Sequence, residues 1–539
     1  MKTMDKYIGT YATYSDIFGF KYKQDELIEL IKELPIGGVL NVLSQLSSIP
    51  GNDKTIRAEF FNYLHAINPD LRIIEEKVSS HFLYSNQGLL AVWKWLLAYG
   101  DMDKLEEEVL IIRGINIIVY LNLIISDYLY DEKMDFEKIK YDMFSNAVFN
   151  SESDFRNSLA RAALMFDEIA GDSTFFNPKE YLDIKKSFFE HYGYSIKEYL
   201  SVIFALFAGF MKPRIEVTPE WNRSSDFFSA SKIPAIANGI LEELSMTISE
   251  GSKWSQDTLH EQWNYTKFRQ KPFLKLENGA FFPINIKYLY EQVFDELYFK
   301  IRQAFPGNST QIFSFYGRCF EIYIEILVQK AIDSSPLPYR LIKEFSFGSK
   351  KSPDVMIRLG NKLLAVEAKA KRLSMDAFIL GSKDAIEKDT DRMIIEPIVQ
   401  LHNRLRELKE VDHEALHGID EIYLLSVTLG EFPTLTPFEE DIRLIVEKSF
   451  EIPIRAYYHA DIEEFEMLSE IISRKNAKPI FQYLDNKKKY ADHVPLKNFL
   501  FSSHLKPRRL KYIAEKFNKH IDEISGIIFN DPGLDKSSD

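Results

Sequence analysis

The chain has 539 residues, 45% hydrophobic, 27% charged and 14% aromatic; this exceeds what one hydrophobic core organises and excludes a disordered or fibrous chain. A net charge of −13 argues against a protein that coats nucleic acid along its whole surface, while leaving room for a local basic groove. The single cysteine, Cys319, excludes an intramolecular disulfide and a cysteine-built zinc site, and fits a reducing, cytoplasmic setting.

The opening MKTMDKYIGTYATYSDIFGF lacks the charged start, apolar middle and small-residue cleavage site of a secretory signal, so export is not expected. Over 25–199 apolar residues recur at helical spacing, as in Leu27, Ile28, Leu30, Ile31 and Leu34, which predicts a mostly helical region. Pro35, Pro50, Pro69 and Pro178 punctuate it, and no fixed-period repeat is found. The apolar run 109–128 is interrupted by Arg113, Asn116 and Asn122, and the run 199–211 is too short for a bilayer of about 30 Å. Both predict buried helices, and no membrane partner is expected.

Residues 213–255, richer in Ser, Trp and charge, read as a connection between domains. Asn278-Gly279 between two apolar runs predicts a hairpin, because both residues tolerate positive φ, and a helix over 286–304 follows. The pattern then turns mixed: helix 315–332, strands 339–347, 354–359 and 362–369, helix 384–409, strands 421–428 and 452–458. That order defines an α/β (α+β) unit with a mixed sheet. From 462 to 530 helix returns, with a frayed end beyond. The expected organisation is a helical regulatory or sensor region 1–212, a connecting region 213–308 with hairpin and helix, a mixed-sheet core 309–460 and a helical extension 461–539.

The charge balance reverses between 340 and 372, where Arg340, Lys343, Lys350, Lys351, Arg358, Lys362, Lys369, Lys371 and Arg372 face only Glu344, Asp354 and Glu367. In the same stretch, SPDVMIRLGNKLLAVEAKAKR places Pro353-Asp354 and Glu367-Ala368-Lys369 on two strands joined at Gly360-Asn361. Alternate side chains of a strand share a face, so Glu367 and Lys369 project together while Leu364, Val366 and Ala368 point to the opposite side. Asp354 meets them across the hairpin. Two such carboxylates offer hard oxygen ligands to Mg²⁺ or Mn²⁺, with the Ala368 carbonyl as a third. A metal there polarises a phosphodiester and acidifies a bound water, which Lys369 is suited to orient or deprotonate.

These residues resemble the PD-(D/E)XK phosphodiesterase superfamily, over roughly 309–458. The resemblance implies a restriction-endonuclease-like core of helix, three-stranded sheet, helix and fourth strand, acting as a Mg²⁺- or Mn²⁺-dependent nuclease on DNA. It also implies an acidic ligand on the first helix, which Glu321 in the context Gly317-x-x-Phe320-Glu321 supplies, with Glu325 one turn along as the alternative. Some branches carry a Gln on the helix after the Glu-x-Lys strand, matching Gln400; the Tyr that one branch places downstream is replaced here by Arg404. Asp354, Glu367, Lys369 and Gln400 are thus the expected catalytic residues, and Glu321, Asp354 and Glu367 the expected metal ligands. A large helical region fused to such a nuclease resembles bacterial antiphage-defence effectors, in which that region would sense, regulate, form a homo-oligomer or hold a partner subunit.

Competing readings remain at this level. Charged residues on the exposed face of an antiparallel strand give the same short pattern without chemistry, which leaves a non-catalytic module that binds nucleic acid or protein, and an RNase is the other alternative. Lys371 and Arg372 read as phosphate contacts or as a solvated strand end. The basic runs at 486–490 and 505–517 read as a phosphate-holding arm or as solvated helix faces. His402, His413 and His417 lack metal-site spacing, Cys319 reads as a small buried hydrophobe, and neither a G-x-x-x-x-G-K-[ST] loop nor a G-x-G-x-x-G fingerprint occurs.

Overall fold

A computed structural model describes residues 11–51, 53–67, 75, 81–129, 136–150, 154–211, 217–218, 221–305, 310–503, 505 and 508–529. Pro69 and the end at 531–539 lie outside the described residues. Helix makes up 61% and strand 10% of the described residues, and the main sheet lies in the C-terminal half, so the class is α+β with a helical N-terminal region.

The described residues fall into two compact units, one drawn from Met1–Asp135, Lys197–Gln292 and Ile524–Asp539, the other from Phe136–Ile196 and Val293–Glu523. This division differs from four consecutive stretches. Helices of 136–196 and of 461–523 belong with the mixed sheet, because amphipathic spacing marks a buried face without saying which core receives it. Among the described residues of 213–255, Trp221, Phe228 and Met246 are buried, and the helices Pro234–Glu243 and Ile248–Thr258 form there.

In the first unit the run expected at 109–128 is the helix Ile111–Leu129, long and apolar enough to cross a membrane by length and composition, with 67% of its apolar window buried. Two of its polar residues are anchored within the unit. Asn122 donates to the Leu83 carbonyl at 3.0 Å, and Asp127 accepts from Ser15 N–H at 2.9 Å and Ser15 Oγ at 2.6 Å. The hairpin expected at Asn278-Gly279 joins strands β2 (Phe273–Lys275) and β3 (Phe281–Pro283), with Gly279 at φ 82°, and β2 also pairs in parallel with β1 (Ser245–Thr247). Trp221 donates to Ser44 Oγ at 2.7 Å, and Ser44 in turn donates to the Pro283 carbonyl.

Lys94, 2% exposed on the helix Asn86–Tyr99, ends among the last carbonyls of Ile248–Thr258. Its Nζ donates to the Thr258 carbonyl at 2.6 Å and the Glu261 carbonyl at 3.2 Å, over the rings of Trp254 and Tyr265. Burial lowers its pKa to about 8, partly offset by Glu261, because the charged form loses hydration.

In the second unit five strands lie in the order β10-β9-β8-β7-β4: β4 (Arg340–Lys343), β7 (Val355–Leu359), β8 (Lys362–Lys369), β9 (Glu421–Thr428) and β10 (Ala456–Asp461), with a separate ribbon of β5 (Ser346–Phe347) and β6 (Lys350–Lys351). β4, β7 and β8 run antiparallel, while β8, β9 and β10 run parallel, so helices must cross over between β8 and β9. The β7–β8 turn is the two-residue loop Gly360-Asn361, with Gly360 at φ 61°. Before this sheet comes the helix Gln311–Asp333.

Two strands differ from expectation for local reasons. The stretch 339–347 breaks after Lys343, because Phe345 turns its backbone to Ser352: Phe345 N–H donates to Ser352 Oγ and Ser352 N–H to the Phe345 carbonyl, each at 2.9 Å. The last strand begins at Ala456 rather than 452. The N–H groups of Glu451 and Ile452 donate to His402 Nε2 at 2.8 and 3.2 Å, so those donors are unavailable to a ladder.

The helix expected at 384–409 runs as Lys383–Thr390, a π turn at Asp391–Ile395, and Glu396–Glu410. Pro397 explains the π turn, since its ring cannot donate and displaces the carbonyl four residues back. That carbonyl, Met393, accepts instead from buried Ser426 Oγ on β9 at 2.9 Å. The Lys383–Glu410 run is thereby pinned to the sheet, its apolar side (Ile386, Met393, Ile398, Leu401, Leu405) packed on Met356, Leu363, Ala365 and Leu424.

Two predictions follow from these contacts. The unfolded lysine keeps its proton to about 10.5 and folded Lys94 to about 8, so between those values the unfolded chain binds more protons and rising pH favours the fold. Urea unfolding of wild type and Lys94→Met across this interval is expected to show wild type gaining stability relative to the variant; a flat difference would contradict it. Ser426→Ala, which leaves the Met393 carbonyl unsatisfied, is expected to cost about 1–3 kcal/mol in the same measurement.

Candidate active site

One step beyond the pairing Val355↔Val366, the antiparallel register sets Asp354 against Glu367. Residues opposite each other share a face, and here it is the face carrying Met356, Leu363 and Ala365, the one covered by Glu396–Glu410. Leu364 and Val366 occupy the other side of β8 and are equally buried. The strand is therefore enclosed on both faces. Glu367 is 1% exposed and Asp354 9%, so the alternative of a solvated strand face does not apply.

Each carboxylate is held by specific donors. Asp354 Oδ2 accepts from Ala368 N–H at 2.8 Å. Glu367 Oε1 accepts from Lys369 Nζ at 2.7 Å and its Oε2 from Arg404 Nη1 at 2.6 Å. The same Nη1 donates to the Ser352 carbonyl at 3.3 Å and lies 3.9 Å from Asp354 Oδ1. Buried Ser352, bound at both backbone and side chain to the Phe345 loop, fixes the entry of Pro353-Asp354 into β7.

Burial, then the charges of Glu367 and Glu321, push the Asp354 carboxyl well above the usual range, only partly offset by the Ala368 N–H and Lys369. Burial also raises Glu367, against the opposing pull of Lys369 and Arg404. Glu321 on the helix Gln311–Asp333 thus contributes to the same negative field, while forming its own pair with Arg318 at 2.9 Å. Glu325 does not join them: it pairs with Lys343 at 2.8 Å. Gln400, half-buried on Glu396–Glu410, makes no side-chain hydrogen bond among the described residues.

The residue that sequence reading missed is Arg404, noted there only as a departure from a pattern. Four positions after Gln400, it projects from the same helix face, and it reaches both carboxylates. The spacing was the available signal.

The remaining candidates are placed elsewhere or otherwise engaged. Arg372 pairs with Asp295 at 2.7 Å against the rings of Phe294 and Tyr298, whereas Lys371 is exposed. In the run 486–490, Lys487 is buried and donates to the Asp492 carbonyl at 3.2 Å, and Lys488 donates to the Arg455 carbonyl at 2.7 Å. In 505–517, Arg509 lies over Phe517 and Lys516 pairs with Glu168, while positions 506 and 507 lie outside the described residues. His413 caps a short helix and His417 pairs with Asp412. Cys319 is a buried free thiol pushed up by that burial.

The donor set fits a hard divalent cation, because buried, mutually repelling carboxylates gain most from added positive charge. As the side chains stand, no three His, Cys, Asp or Glu groups among the described residues converge as a ligand set; Glu367 is turned onto Lys369 and Arg404. Comparison with family models, with curated proteins and with solved structures finds no match for this chain.

A buried carboxylate that raises its own pKa is a stability cost. Asp354→Asn removes that repulsion, and its amide oxygen can still accept from Ala368 N–H. It is expected to stabilise the fold by about 0.5–2 kcal/mol in thermal unfolding; a destabilised variant would mark Asp354 as structural.

Proposed function

We propose that the second unit is a nuclease of the PD-(D/E)XK type that hydrolyses DNA phosphodiester bonds with Mg²⁺ or Mn²⁺. The observation that carries this reading is the enclosure of Asp354 and Glu367 opposite each other on adjacent strands, with Lys369 on the same face. Burying two like charges costs several kcal/mol that a structural role does not repay, whereas strongly perturbed carboxylates beside a lysine are what acid–base and phosphoryl chemistry require.

Asp354, Glu367 and Glu321 would hold the metal, which when bound supplies a Lewis acid for a phosphodiester oxygen. Lys369, 28% exposed at its side chain, orients the attacking water and stabilises charge that builds on the phosphorus oxygens. Gln400 positions the phosphate or the lysine from the helix above. Exposed Arg340, Lys343, Lys350 and Lys351 on β4 and the β5–β6 ribbon supply contacts to a sugar–phosphate backbone, which position a substrate without reading its sequence.

The first unit, in this reading, senses or regulates, by oligomerisation or by holding a partner subunit, and the whole acts in the cytoplasm as an effector of antiphage defence. A second reading has one observation in its favour: both oxygens of Glu367 are already engaged by cations, as in a binding module with a degenerate site.

Incubation of wild type, Asp354→Ala and Lys369→Ala with plasmid DNA and with structured RNA, each with Mg²⁺, Mn²⁺ or EDTA, separates these. Metal-dependent cleavage is expected from wild type, with a loss of about 100-fold or more in either variant. Cleavage of RNA alone would make the enzyme an RNase; equal activity in the variants, or activity in EDTA, would sink the assignment.

A further inference from the structure

The nuclease reading leaves Arg404 without a part, and the inference here rests on that reading and concerns how its metal site is controlled. Arg404 Nη1 is 2.6 Å from Glu367 Oε2, 3.9 Å from Asp354 Oδ1 and 3.3 Å from the Ser352 carbonyl. Lys369 takes the other oxygen of Glu367 at 2.7 Å. One guanidinium nitrogen therefore lies close to both carboxylates that would hold a divalent cation, and each oxygen of Glu367 already accepts from a cation.

We propose that Arg404 is a built-in cationic placeholder: it occupies the Asp354–Glu367 pair until a divalent cation displaces it, and the displaced guanidinium then takes the substrate's phosphate as its new partner. A buried pair of carboxylates is costly without a counter-charge, and Arg404, 19% exposed at its side chain, supplies one. A competing cation, or an anion that draws Arg404 away, opens this contact. A planar fork that grips a carboxylate grips a phosphate equally well. Cation and phosphate binding are then coupled, each favouring the other by the same factor, and metal is bound weakly until a substrate backbone arrives.

The test reads metal binding rather than cleavage. Mn²⁺ is titrated into the full chain by calorimetry and by the paramagnetic resonance signal of free Mn²⁺, for wild type, Arg404→Gln, Arg404→Met and Asp354→Asn, with circular dichroism to confirm folding. Removing the placeholder in either near-isosteric variant is expected to tighten Mn²⁺ binding on the order of ten-fold, while Asp354→Asn weakens it by at least as much. If Asp354→Asn abolishes binding but both Arg404 variants bind as wild type or more weakly, the metal site stands and the placeholder is overturned. If no protein binds Mn²⁺, the metal-dependent reading falls and takes this inference with it.

Discussion

The second unit is organised around the burial of one carboxylate, Glu367, on the central strand of a five-stranded sheet. An isolated ionised carboxylate at that depth is not tolerated, so the neighbouring chain is committed to supplying counter-charge. Lys369 comes from the same strand and Arg404 from the helix that covers it. For Arg404 to arrive there, Glu396–Glu410 must lie in one register over β8, and Pro397, three residues before Gln400, with the Ser426 contact to the Met393 carbonyl, seven before it, sets that register. The π turn is a small defect in a helix, yet it fixes the face from which the site is covered.

The same economy of contacts governs Asp354. Its strand begins only because the preceding loop is closed by Ser352 against Phe345, and its carboxylate is aimed by the Ala368 N–H. That single hydrogen bond does less for Asp354 than the two cations do for Glu367. Burial raises both carboxyls; Lys369 and Arg404 oppose that rise at Glu367, and the Ala368 N–H and Lys369 oppose it at Asp354.

Much of this was legible from residues alone. Gly360-Asn361 between two apolar runs specified the hairpin, and the hairpin's alternation put Glu367 and Lys369 together, because strand period and turn chemistry are local properties. The helices at 286–303 and 311–333 were likewise readable from apolar spacing. What local pattern could not carry was anything decided by a distant partner. His402 withholds two N–H groups from the last strand across some fifty positions, and 136–196 joins the sheet unit on the strength of contacts such as Arg161 with Glu466 at 2.9 Å. Composition over 213–255 likewise carries no record of the buried partner that Trp221 finds in Ser44, 177 positions away.

Arg404 shows where pattern reading and physical reading part. As a match to a family motif it bears only on Gln400, since one branch places a Tyr downstream of that Gln. As a side chain it is the nearest cation to the second oxygen of Glu367, and it meets a need that the motif does not mention. A site held open for metal by solvent alone would leave two buried acids repelling each other; a site closed by arginine has a counter-charge without metal and yields to a stronger cation or a competing anion. A nuclease that must remain silent until its substrate is present gains from the second arrangement, and a purely structural carboxylate pair would gain more from replacement by apolar residues of the same volume. Charge at this depth, held by Arg404 and Lys369, is what the proposed chemistry needs and what a purely architectural role does not.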